Sequence, residues 1–137
     1  MFYPAKIQPD GASFLVTFRD IPEALTSGRS RRQAEAMARD ALVTAMDFHF
    51  EDRRKVPLPS KPRRGEILVP VAASVAAKVL LLNQMIDSGL TAAELARRLD
   101  TSPQVVNRIV DIHHSTKIDT IAAALQAMGR QLELSVA

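Results

Sequence analysis

Gln104, Asn107 and Arg108 recur at helical spacing in the stretch Pro103-Gln-Val-Val-Asn-Arg-Ile-Val110. On a helix, residues three and four apart share a face, so two carboxamides and a guanidinium point outward while Val106, Ile109 and Val110 point inward. Such groups offer donors and acceptors in a plane, the chemistry needed to read base edges in a major groove. What they offer is recognition, not bond-making.

The elements that must position them are written into Leu90 to Asp111. Thr91 can N-cap a first helix, and Glu94 three residues on completes a capping box. Ser102 can N-cap a second, with Pro103 at the first helical position, where a missing N–H costs nothing. Leu95, Ala96 and Leu99 face inward on the first helix. Two capped helices joined by a turn of three to four residues are the build of a DNA-reading helix-turn-helix. The plainer alternative is two surface helices of an all-α domain. The paired start signals around so tight a turn favour the DNA reader.

The chain has 137 residues, 47% hydrophobic and only 4% aromatic, so it can bury one aliphatic core or two small ones. It has no cysteine, hence no disulfide framework and no thiolate metal site. No apolar run approaches the roughly 20 residues that span a bilayer, and the start Met-Phe-Tyr-Pro-Ala-Lys lacks a signal-peptide pattern. A cytoplasmic protein without membrane contact is expected. Residues 1–70 hold 12 Lys/Arg against 9 Asp/Glu, a balance of +3, whereas residues 71–137 hold 6 of each. The DNA reader is thus neutral, although phosphate neutralisation normally dominates affinity. Binding should therefore depend on pairing two copies.

Two modules follow from the pattern, at residues 1–70 and 72–137. In the first, residues 2–8 and 13–18 are β-forming and flank Asp10-Gly11, a hairpin signal. Phe14, Val16 and Phe18 alternate, which buries one face of the second strand. Pro4 places its part of the first strand at an edge or bulge. Residues 24–28 make a third strand. Ser30 and Gln33 open an amphipathic helix running through Phe48, with Ala34, Met37, Ala38, Ala41, Leu42, Ala45 and Met46 as its apolar stripe. The Pro-punctuated stretch 51–65 is irregular, and Glu66 to Val69 returns as a fourth strand.

The second module opens with a helix carrying Val75, Val79, Leu82 and Ile86, closed by Gly89. The helical pair follows. Thr116 is expected to cap a last helix with Ile118, Ile121, Ala122, Leu125 and Met128, ended by Gly129. Leu132, Leu134 and Val136 then alternate with Gln131, Glu133 and Ser135. A lone strand has no local partner, so this one is predicted to pair with the same strand of a second copy, making those three residues the dimerisation contact.

Tyr3-Pro4-Ala5, Asp10-Gly11, Phe14-Leu15-Val16-Thr17-Phe18, Asp20-Ile21-Pro22-Glu23-Ala24-Leu25-Thr26-Ser27-Gly28, Arg39-Asp40-Ala41-Leu42 and Pro57-Leu58-Pro59-Ser60 together resemble the HicB family of antitoxins. The second half is similar to Cro/repressor-type helix-turn-helix domains, a combination found in that family, other members of which end in a ribbon-helix-helix. The resemblance implies an α+β fold: a partial ribonuclease-H-like sheet with one main helix, then an all-α helix-turn-helix domain with a terminal β-strand. It also implies a first module that binds and blocks a HicA-type toxin, a small mRNA-cleaving ribonuclease, without catalysis or cofactor of its own. The second module would bind double-stranded operator DNA and repress the shared operon, with self-association as a dimer or tetramer. Residue by residue, Ser102, Pro103 and Gln104 would lie at the start of the recognition helix. Gln104 would be the main base reader and Asn107 the second, with Arg108, Lys117 and the helix N-terminus at Thr91 on phosphates.

Other functions need other chemistry. A nuclease would need carboxylates converging on a metal, but Asp10, Asp20, Glu23, Asp40 and Asp47 are spread over turns and a helix face. His113-His114 lack a third ligand at suitable spacing and read as a solvated loop, as does His49 near a helix end. Arg53-Arg54-Lys55 with Lys61, Arg63 and Arg64 could contact nucleic acid flanking the operator. A stand-alone transcriptional regulator with an N-terminal ligand-sensing domain is the remaining alternative.

Overall fold

Alternation of apolar residues builds a sheet first. In the computed structural model, which describes residues 1–137, strands β1 (Phe2–Asp10) and β2 (Ser13–Phe18) form a hairpin closed by the pair Asp10↔Ser13. Gly11 takes φ +60° at the first loop position, the conformation that a two-residue hairpin loop asks of glycine. Strand β3 (Leu25–Gly28) pairs with β2, and β4 (Ile67–Pro70) returns to β1. The sheet order is β3-β2-β1-β4, antiparallel throughout.

β1 changes neighbours at Ala5, which pairs with Ile67 of β4 on one side and Phe18 of β2 on the other. Pro4 lies just before this exchange, where β1 has β4 alone beside it. A strand tolerates proline there because one of its sides carries no ladder. Tyr3, Ala5, Ile7, Val16, Phe18 and Val69 are buried on one face. Helix α1 (Arg31–Glu51) supplies Ala34, Ala38, Leu42, Ala45 and Met46 as its own buried stripe. Ser30 caps it by accepting from the Gln33 N–H at 3.1 Å. Met37, expected in the stripe, is instead partly exposed at its edge.

Small residues let α1 lie close to the sheet. Gly28 is buried, and a Cβ built on it would come within 2.4 Å of the Ala34 backbone nitrogen. After α1, the segment through Pro57–Glu66 is irregular but tied down. The Tyr3 hydroxyl donates to the Pro57 carbonyl at 2.7 Å, and Asp20 accepts from the Ser60 N–H at 2.9 Å. Arg19 pairs with Glu66 at 2.7 Å and also donates to Ser60 and the Lys61 carbonyl. The Arg19 guanidinium, together with the Arg63 N–H, holds the Glu66 carboxyl below its ordinary range.

Four more helices follow: α2 (Ala73–Ser88), α3 (Ala92–Leu99), α4 (Pro103–Val110) and α5 (Ile118–Ala127). The fold is thus α+β. No helix is long and apolar enough to cross a membrane. The chain divides into two units, Met1–His49 with Pro57–Ala72, and Phe50–Val56 with Ala73–Ala137. The segment Phe50–Val56, assigned by sequence to the first module, clusters with the second. Its backbone explains this: Val56 is buried, and its N–H and carbonyl bond the Asn83 side chain of α2 at 2.8 and 2.9 Å.

Two further expectations need correction, and a third concerns a contact between copies. His49 is not a solvated residue but is buried, with Nε2 3.5 Å from a Glu23 carboxylate oxygen. Thr116 does not cap α5; Lys117 occupies that position without a side-chain capping bond. Residues 130–137 form no strand in the single chain, since alternation supplies a face but no neighbour to ladder with.

Gly28→Ala should destabilise the protein by about 1–3 kcal/mol, the usual cost of forcing an extra carbon into a packed contact. Gly28 has no positive φ, so the loss would come from the clash with α1. Urea denaturation checks this, and an unchanged midpoint would contradict the close approach.

Candidate nucleic-acid interface

Helices α3 and α4 each hold eight residues, too few to persist alone in water. Their ends are therefore secured. Thr91 accepts from the Glu94 N–H at 3.2 Å and donates to its carboxylate. Ser102 accepts from the Val105 N–H at 3.3 Å, with Pro103 in the first turn. Between them, Asp100 takes φ +55°, which short polar side chains tolerate better than most. With Asp100 turned this way, the Thr101 N–H reaches the Ala96 carbonyl and the Asp100 N–H reaches that of Arg97. This double closure ends α3 abruptly and leaves three residues, 100–102, before α4.

Packing fixes which faces remain outside. Leu95 and Ala96 of α3 and Val106, Ile109 and Val110 of α4 are buried, whereas Leu99 is only half-buried. α3 packs on α4 and α5, and α2 packs on α4 and α5. Gln104, Asn107 and Arg108 are all exposed. Pro103 is exposed beside them, while the Ser102 and Thr91 hydroxyls are engaged in capping. Lys117 is exposed at the start of α5. The structure thus brings Pro103, Gln104, Asn107 and Arg108 together on α4 and leaves Thr91 and Lys117 on neighbouring elements.

The link from α4 to α5 depends on a residue with no advance signal. Lys78 of α2 is 1% exposed. Its ammonium donates to the carbonyls of Asp111 and His114 and, at 2.9 Å, to the Thr116 hydroxyl. Three acceptors match its three N–H donors. Burial pulls its pKa below the ordinary lysine value, and the Asp111 carboxylate opposes that pull. Thr116 is thus an acceptor for Lys78, which is why its hydroxyl is spent away from the helix start. His113 and His114 are exposed in this link.

Arg97 and Arg98 are neighbours on α3 and both exposed. Arg98 donates to the Ala127 carbonyl at the end of α5 at 3.1 Å. Arg53, expected to contact nucleic acid only beside the operator, reaches this surface itself: its Nη2 donates to Asn107 Oδ1 at 3.1 Å. Nothing local to either residue could have announced a contact spanning 54 positions. No group of three or more His, Cys, Asp or Glu side chains gathers anywhere in the chain.

Residues 2–80 match the family model described as HicB-like antitoxin of bacterial toxin–antitoxin system. The chain is similar to antitoxin HicB 2 of Photorhabdus laumondii, 59% identical over 134 residues that cover 98% of this chain and 95% of that one. It is 50% identical to antitoxin HicB 1 of the same organism over 137 residues, covering 99% and 87%. With antitoxin HicB of Escherichia coli it shares 44% over 135 residues, covering 98% of each.

Lys78→Met keeps the stem and removes the donors, leaving the two carbonyls and the Thr116 hydroxyl without their partner. The expected cost is about 1–3 kcal/mol, accompanied by faster amide exchange through residues 111–116. A Met variant as stable as the parent would mean the ammonium contributes nothing net.

Proposed function

This chain belongs to the HicB-like antitoxin family of bacterial toxin–antitoxin systems, and from that premise we propose that it neutralises a toxin with its first unit and represses its own operon with its second. The toxin is a HicA-type protein, a small mRNA-cleaving ribonuclease. The unit built from the four-stranded sheet and α1 acts as a partial ribonuclease-H-like domain without catalysis or cofactor, and it works by steric occlusion.

Operator binding falls to α3 and α4, read as a Cro/repressor-type helix-turn-helix with α4 as the recognition helix. One observation carries this reading. α4 is buried on the Val106, Ile109 and Val110 side and presents Gln104, Asn107 and Arg108 on the other. A helix with one face fixed in a core and an amide-bearing face left outside is what major-groove docking requires. Gln104 reads a base, with adenine N6 and N7 as its bidentate partners, and Asn107 reads a second. Arg108 and Lys117 take phosphates, together with the N–H groups at Thr91 and Ser102. Pro103 adds shape.

A unit so nearly neutral gains affinity from doubling. The tail supplies the means, because Leu132, Leu134 and Val136 alternate with polar residues in the sequence, and Leu134 and Val136 are 76% and 101% exposed. Paired with the same residues of a second copy, they form a two-stranded ladder that holds two recognition helices on one operator, in a dimer or tetramer. The expected setting is the cytoplasm.

Gln104→Ala should cost about 1–3 kcal/mol at one operator base pair and relax preference there, with toxin affinity untouched. Gel-shift titration on the duplex upstream of its own coding sequence, with each base permuted, checks this. Equal weakening on every sequence would remove Gln104 as a base reader. Leu134→Asp should convert the dimer to a monomer in sedimentation velocity and lower operator affinity at least about tenfold, as loss of a linked second site does. A parent chain already monomeric at micromolar concentration would rule the tail contact out.

A further inference from the structure

Arg53 stands where the backbone would choose glycine. Its φ is +53°, just beyond the last residue of α1, and its N–H closes that helix by donating to the Phe50 carbonyl at 3.3 Å. A left-handed residue at a helix end is usually glycine because a Cβ there is penalised. Arginine accepts that penalty without recovering it through burial, since its side chain is exposed. Unusual backbone at a residue so exposed points to a use for its side chain.

The use is visible in the contact with Asn107, whose Oδ1 accepts from Arg53 Nη2 at 3.1 Å. The segment bearing Arg53 is firmly placed within the second unit. Phe50 and Val56 are buried at its two ends, and Asn83 holds Val56 by both backbone groups. The Lys55 ammonium lies 2.8 Å from the Asp87 carboxylate of α2. A stretch of chain remote in sequence is thus fastened to α2 so that one guanidinium reaches the outward face of α4.

We propose that Arg53 is a positioning residue of the operator-reading surface: it fixes which end of the Asn107 amide meets the DNA. This inference rests on the repressor reading above. A carboxamide can turn over and present either its oxygen or its NH2 group, so a lone asparagine is an ambiguous reader. A guanidinium has only donors. Beside Arg53 the oxygen must face inward, and the Nδ2 donors are turned to the groove. Asn107 then favours an acceptor on the base edge, such as purine N7, guanine O6 or thymine O4, and disfavours the N4 donor of cytosine. Without Arg53 the amide is free to turn and accept from cytosine.

The test uses the full-length chain and the duplex upstream of its own coding sequence, with every position permuted. Asn107→Ala identifies the base that Asn107 reads, as the position whose preference disappears. Arg53→Gly should then reduce discrimination against cytosine at that position about tenfold. Preference at the position read by Gln104 should remain, and the melting temperature should be unchanged or higher, because glycine suits the backbone there. In the Asn107→Ala background, Arg53→Gly should have no further effect on base preference. Uniform loss across all sequences, with the salt slope falling by about one, would make Arg53 a phosphate contact and overturn the proposal. So would an unaltered preference in Arg53→Gly, or an Asn107→Ala variant that reads every position as the parent does. If the parent chain binds no duplex selectively, the repressor reading falls and this inference with it. If Gln104-dependent selectivity persists while Arg53→Gly changes nothing, only the inference falls.

Discussion

Two helices of eight residues cannot stand by themselves, and the rest of the second unit is arranged around that constraint. Their stability must come from burying one side each. Fully burying an aliphatic side chain such as Leu95 or Val106 contributes roughly 1.5–3 kcal/mol, several times what a surface helix of this length gains from propensity. Once those sides are committed inward, the outward sides are determined as well. Gln104, Asn107 and Arg108 are presented because Val106, Ile109 and Val110 are not available for anything else. The caps at Thr91 and Ser102 and the left-handed Asp100 set where each helix starts and stops, and hence the rotation of the outward face.

Holding the pair requires support from residues that do not touch the presented face. Lys78 spends its ammonium on the link that follows α4, and Asn83 spends its amide on a backbone arriving from the end of α1. Both are buried polar groups with their hydrogen bonds satisfied. Such groups gain little net stability over apolar ones but are costly to leave unpaired. Their effect is therefore one of specification: only one placement of the 111–116 link and one placement of Val56 satisfies them. The presented surface becomes rigid from two directions, and rigidity is what a reader of base edges needs.

What the sequence disclosed, and what it withheld, divides along the same line. The hairpin at Asp10-Gly11, the apolar stripe of α1, the capped starts of α3 and α4 and the exposure of Gln104 are local matters of spacing and turn chemistry, and each could be read from a dozen neighbouring residues. The start of α5 could not, because Thr116 is drawn away by Lys78, 38 positions earlier. His49 looked like a solvated helix end, yet the chain folds Glu23 against it. The placement of Phe50–Val56 was hidden for the same reason: its basic residues read as part of an irregular stretch, and only the bonds from Asn83 to Val56 tie it to α2. In the tail the pattern at Leu132, Leu134 and Val136 was plain, but a strand is a relation between two segments, and a single chain offers only one.

The charges of the second unit bear on how the proposed repressor would work. Several of its cations are already committed: Lys78 to carbonyls in its core, Arg98 to the end of α5, Lys55 to Asp87 and Arg54 to Asp52. With Arg53 spent on Asn107, Arg97, Arg108, Lys117 and Arg130 remain exposed for a duplex, a small number beside the phosphate contacts that usually dominate affinity. A surface of this kind has weak sequence-independent attraction, so a single copy has little hold on random DNA. Joining two copies changes the outcome without adding a contact, because the second helix then binds at a high effective concentration. Base reading contributes to both halves, while background binding stays low. In the proposed repressor the scarcity of cations, which at first argues against a DNA partner, would therefore favour selectivity once two copies pair, and would make the pairing itself the step on which operator occupancy turns.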